Sequence, residues 1–253
     1  MTFHAIISFW LLGLSGHVHA APPPWAYWHA RFMVVGWTIL LPLGILIARF
    51  FKITPGQNWP HVLDNKFWWY SHTRLQIVGL LAITIGFLFA YIGRQSARDV
   101  SSSLPHATGF LLTFHHYAGW IVLILSWLQA LSGLLRGSKG GPTDPHMRGD
   151  HFDMTRRRIV FERFHKSFGW LLVLLAVVVT ATGLVMVDAP RWMVLVIAIW
   201  WGMLVVAFIW LQRSGRCVDT YQAIWGNDPE LPGNHRLPIG WGVRQFKKTD
   251  TQR

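Results

Sequence analysis

Five histidines stand near the starts of four successive apolar segments: His29, His72, the neighbours His115 and His116, and His165. An ionisable side chain at membrane depth is costly and is a functional candidate by default. A single interfacial histidine is ordinarily a wetted or hydrogen-bonded residue, but the same placement on four helices in a row argues for a shared role. Two imidazoles from opposed helices are what six-coordinate heme iron requires, because the porphyrin fills four positions and the protein supplies the two axial ones. Cys217 is the only cysteine, which excludes an intrachain disulfide and a cysteine-based zinc or iron–sulfur site. A metal in this chain would have to be held by histidine.

The elements that carry these residues are apolar helices. Of 253 residues, 52% are hydrophobic and only 13% charged, with 16 Trp and 16 Phe, a balance that points to a membrane protein. The formal net charge of +12 could suit nucleic acid, but the cations lie between long apolar runs and not in a nucleic-acid motif, so no nucleic-acid partner is expected. Residues 1–20 have an apolar core and end in Val18-His19-Ala20, as in a signal peptide cleaved before Ala21 or an uncleaved anchor. After Pro22-Pro23-Pro24, five segments are long enough to span a bilayer, roughly 27–48, 68–92, 109–135, 162–187 and 190–211. The expected fold class is an all-α polytopic bundle over residues 21–212, followed by a polar cytoplasmic tail over 213–253.

Cations set the expected orientation, since cytoplasmic loops retain Lys and Arg. Residues 49–66 contain Arg49, Lys52 and Lys66; residues 136–163 contain seven such cations; the tail contains Arg213, Arg216, Arg236, Arg244, Lys247, Lys248 and Arg253. The opposite side has only Arg31, Arg94, Arg98 and Arg191. The first segment therefore runs from outside to inside, and the C-terminus is cytoplasmic. Because successive helices alternate in direction, His29 and His115 fall toward the outer face, and His72 and His165 toward the inner face.

The third and fourth segments resemble each other at a fixed offset of 50 residues, HHYAGWIVLILSWLQALSGLL against HKSFGWLLVLLAVVVTATGLV, with Gly119/Gly169, Trp120/Trp170 and Gly133/Gly183 identical. That alignment selects His115 over its alternative His116. Helical geometry agrees: His115 shares a face with Gly119, Ser126, Gln129 and Gly133, whereas His116 lines up with Trp120, Leu123 and Trp127. A comparable stripe, His72, Gln76, Gly79, Ile83, Gly86 and Ala90, runs along the second segment. Such glycines serve either a flat macrocycle or close helix packing. Arg31 and Arg74 are placed to meet anionic heme edges, outer and inner respectively; Lys166 reads better as an interfacial cation. His4, His17, His19, His61, His106, His146, His151 and His235 read as surface residues of the leader, loops and tail.

These residues resemble the cytochrome b561 domain family, particularly its bacterial and fungal branch. The likeness rests on HARFMVVGWTILLPLGILIAR, FWWYSHTRLQIVG, HHYAGWIVLILSWLQALSGLLR and FERFHKSFGW, with H-x-x-x-G at His115 and His165 and H-x-x-x-Q at His72. It implies two b-type hemes with His29/His115 and His72/His165 as axial ligands to iron. It further implies transmembrane electron transfer between a small-molecule or protein donor and acceptor, in a bacterial plasma membrane. Other readings are a heme-binding subunit of a dehydrogenase–quinone complex with a periplasmic redox partner, a homodimer, and a histidine-lined ion transporter.

Overall fold

Runs of some twenty apolar residues satisfy their backbone groups internally in lipid only as helices, and five such helices organise the computed structural model, which describes residues 23–98, 109–141 and 148–247. They are α1 (Pro24–Phe50), α2 (Phe67–Arg98), α3 (Gly109–Ser132, tightening into a 3-10 turn over Gly133–Arg136), α4 (Arg156–Met186) and α5 (Arg191–Arg213). All five are long and apolar enough to cross a membrane, and no strand occurs among the described residues beyond an isolated Val218–Arg244 bridge. The result is an all-α membrane helical bundle. The signal peptide or anchor expected over residues 1–20 lies outside the described residues.

α4 starts six residues before the expected 162. Hydropathy marks where a helix enters lipid, whereas its true start is set by capping, and Thr155 caps α4 by accepting from the Arg158 amide at 3.4 Å. At 31 residues α4 is roughly 46 Å long by its helical rise, well beyond the ~30 Å hydrocarbon core. Its first turns, with Arg156–Arg158, therefore project past the apolar layer.

The helices pair as two antiparallel hairpins, α1 with α2 and α3 with α4, and contacts between the hairpins are sparser. Glycines permit the close approach in the first hairpin. A Cβ on Gly44 would lie 2.6 Å from Gln76 Nε2, and one on Gly86 would lie 2.8 Å from Phe32 Cβ. The glycines of the α2 stripe thus serve helix packing against α1, the simpler of the two roles open to them.

Within α1, Val34–Leu40 adopts π-helical bonding, with the Leu41 amide reaching back to Gly36 O. Pro42 explains it: lacking an N–H, it cannot satisfy Thr38 O one turn earlier, and the ladder slips. The released carbonyl accepts from Trp200 Nε1 of α5 at 2.7 Å, which fastens the fifth helix to the first hairpin.

Residues 214–247 fold back against one end of the bundle. Lys52 Nζ donates to Val218 O at 2.9 Å, Arg216 Nη2 to Ile53 O at 2.9 Å, Arg49 Nη2 to Trp241 O at 2.6 Å and Lys166 Nζ to Ile239 O at 2.8 Å. A short helix α6 (Thr220–Trp225), capped by Asp219, presents Tyr221 to the buried cluster Met154, Tyr221 and Ile239.

Candidate functional site

Each of the four histidines is anchored by the partner helix of its own hairpin. His29 Nδ1 lies 3.0 Å from Gly86 O, and His72 Nδ1 lies 3.1 Å from Gly44 O, a reciprocal pair across α1 and α2. Across α3 and α4, His115 Nδ1 lies 3.1 Å from Val179 O, and His165 Nδ1 lies 3.0 Å from Ser132 Oγ. A carbonyl only accepts, so His29, His72 and His115 each carry their proton on Nδ1. For His165 the serine decides: its hydroxyl proton is committed to Gln129 O at 2.7 Å, so Oγ receives Nδ1–H. All four rings therefore present an Nε2 lone pair, the form that ligates metal.

The rings meet across the gap between the hairpins. His29 and His115 have centroids 6.1 Å apart with planes at 84°, and His72 and His165 are 6.5 Å apart at 80°. With about 2 Å for each metal–imidazole bond and about 1 Å from ring nitrogen to ring centre, two imidazoles on opposite sides of one metal stand ~6 Å apart. Both pairs meet that spacing. No group of three or more His, Cys, Asp or Glu among the described residues could hold an ion, so each pair would offer a metal two side-chain ligands from among them. A donor set of two neutral imidazoles fits a metal whose other positions come from a macrocycle. Along α2, His72 and Gly86 are separated by 14 residues, which puts the two levels roughly 21 Å apart by helical rise.

Space for a flat group differs between the helices. Positions where a Cβ on Gly119 or Gly133 would sit have no heavy atom within 4 Å, in keeping with a cradle on the His115 face of α3. Gly183 is instead pressed against the His115 ring, a Cβ there lying 2.9 Å from His115 Cε1. His116 does not join either pair; its ring packs 5.3 Å from that of Tyr117. Arg31 is exposed with its guanidinium 5.0 Å from the Trp28 ring, and Arg74 is exposed and stacks on Tyr70 at 5.7 Å. Both lie two residues beyond a paired histidine, and no partner among the described residues draws either into the gap.

Beside His165 is a charged cluster that the histidine pattern and hydropathy did not single out. Glu162 is buried; its Oε1 accepts from Arg158 Nε at 3.0 Å and Nη2 at 2.6 Å, and its Oε2 from Lys166 Nζ at 2.9 Å. Lys166 is accordingly a structural link between α4 and the tail. His151, expected at the surface, is buried at 3% exposure because α6 folds over it: Trp225 Nε1 donates to its Nδ1 at 3.2 Å, and its Nε2 lies 4.0 Å from Glu162 Oε1.

Burial, and then the Arg158 cation, hold the His151 imidazole well below its ordinary 6.5, at about 3. Between those values the unfolded chain binds the extra proton, so this stability is complete above about pH 6.5 and is lost as pH falls toward 3. Thermal unfolding in detergent at pH 7 and pH 5 should show a loss at the lower pH that His151→Phe reduces. An unchanged pH dependence in the variant counts against this assignment.

No family model matches the chain, and no solved structure matches it. Curated relatives do. The chain is 31% identical over 134 residues to ferric-chelate reductase 1 of Bos taurus, covering 52% of this chain and 20% of that protein. It is 27% identical over 157 residues to a cytochrome b561, DM13 and DOMON domain-containing protein of Arabidopsis thaliana, covering 62% and 14%. A further Arabidopsis cytochrome b561 and DOMON domain-containing protein is 28% identical over 149 residues, covering 59% and 25%. The chain thus spans a quarter or less of the length of these relatives. At low identity and over part of the chain, the likenesses support the cytochrome b561 family.

Proposed function

We propose that this chain transfers electrons across a membrane through two b-type hemes, one between His29 and His115 and one between His72 and His165. Facing imidazole pairs at two levels of one bundle carry this reading. Each heme, when bound, supplies a one-electron ferric–ferrous couple. The protein's part is to fix four imidazoles as Nε2 donors, to keep them paired, and to exclude water from the space between levels.

That exclusion also favours electrons over ions. Leu41, Ile83 and Leu123 form a buried apolar cluster, with Met33, Trp37 and Phe87 packed on it. Along their helices these residues fall between the two histidine levels, except Phe87, which stands next to Gly86 at the His29 level. The buried polar side chains at that depth among the described residues are Thr38 and Ser126, fewer than a continuous histidine-lined ion path would require. The charge distribution supports an extracytoplasmic N-terminus and a cytoplasmic tail, with His72/His165 on the cytoplasmic side. Some relatives are named ferric-chelate reductases, so a ferric chelate is the first acceptor to try.

The test is heme stoichiometry and the dithionite-reduced spectrum of the purified chain. Two hemes per chain with b-type α-bands are expected. Protein produced with ample heme that shows no such bands would sink the proposal.

A further inference from the structure

Three of the four paired histidines give Nδ1–H to a backbone carbonyl, those of Gly86, Gly44 and Val179. His165 gives it to a hydroxyl with no carbonyl beside it, Ser132 Oγ at 3.0 Å, whereas His115 has the more distant Thr182 Oγ1 at 3.4 Å in addition to its carbonyl. Ser132 is buried, with 8% exposure, at the last α-helical residue of α3. Its own proton is spent on Gln129 O, and the Gln129 side chain returns to the same histidine, Nε2 donating to His165 O at 2.7 Å. Ser132 and Gln129 thus grip both the ring and the backbone of His165 from the facing helix.

The difference in acceptor has an electronic consequence. A ligand imidazole whose outer N–H is strongly accepted becomes more basic and makes its metal electron-rich; a weak acceptor does less of this. A hydroxyl oxygen accepts less strongly than an amide carbonyl, so the His165 ring donates less to iron and the reduced state is favoured. Nearby charge acts in the same sense. Two cations, Arg158 and Lys166, flank the single carboxylate of Glu162 one turn from His165. The only described cation near His29 in sequence, Arg31, is exposed against Trp28.

Building on the two-heme reading, we propose that Ser132 is a positioning residue that sets the reduction potential of the His72/His165 site and makes it the more oxidising of the two. Electrons entering at His29/His115 then run downhill toward His72/His165.

Potentiometric titration of the full chain, followed by heme absorbance, tests this. The wild type should titrate in two waves, and His165→Ala should remove the higher one. Ser132→Ala should move that wave to still higher potential by about tenfold in its reduction equilibrium, ~59 mV for one electron, and leave the other wave in place. Ser132→Asp, offering a carboxylate acceptor, should move it the opposite way, and Ser132→Thr should behave as wild type. If the alanine variant releases that heme, the aspartate variant decides, and an unmoved wave there overturns the proposal. Two retained hemes with both waves unmoved, equal movement of both waves, or loss of the lower wave in His165→Ala also overturns it while leaving the two-heme reading intact. A wild-type chain that takes up no heme sinks both.

Discussion

His115→Ala should leave the protein with one heme in place of two, while His116→Ala keeps both. The adjacent histidines are chemically equal, and a helix turns by about 100° between them, so only one can face the gap. His115 does, with its ring 6.1 Å from that of His29 and its Nδ1 held by Val179 O; His116 turns to Tyr117. On the proposed two-heme reading, truncation of His115 would remove an axial ligand outright, an all-or-none loss at that site, with the His72/His165 site roughly 21 Å away retained. A heme assay per chain after purification, with the reduced α-band as second readout, distinguishes the two variants. Retention of both hemes by His115→Ala would reassign the ligand.

Glu162→Gln should destabilise the protein by about 3 kcal/mol, because breaking a buried ion pair by removing one partner leaves the other charge uncompensated. Arg158 is almost as buried as the carboxylate, with 11% side-chain exposure against 4%, whereas Lys166 at 32% can be partly rehydrated. The loss therefore belongs at the lower end of the usual range for such a break. The amide also turns a donor toward Lys166 Nζ, which then holds Ile239 O alone. Residues 214–247 should loosen before the membrane helices do. Chemical unfolding in detergent gives the magnitude, and limited proteolysis shows whether cleavage starts in the tail; an unchanged unfolding midpoint would mean that the cluster contributes nothing net.

The effect of His151→Phe on acid stability belongs to the same region and separates its two parts. Glu162 is held by cations on its own helix one turn away in each direction, a pattern visible in Arg158-x-x-x-Glu162-x-x-x-Lys166. Nothing in the neighbourhood of His151 in sequence brings Tyr221 and Trp225 against it, 70 residues and more along the chain. The first was legible in principle; the second was not.

By itself the sequence determined the membrane helices, their alternation and the sorting of the four histidines into two levels. Those features are periodic and local: an apolar run must be helical in lipid, neighbouring helices must reverse, and a residue's place along its helix sets its depth. The repeat between the third and fourth segments even separated His115 from His116. The tertiary structure alone decided what surrounds each imidazole. That Gly44 and Gly86 spend their missing side chains on α1–α2 packing, while Gly119 and Gly133 face open space, depends on which helix lies opposite. So does the choice of a carbonyl for three rings and of the Ser132 hydroxyl for the fourth, since a hydrogen-bond partner 33 residues away is fixed by how two helices rotate against each other and not by either helix alone.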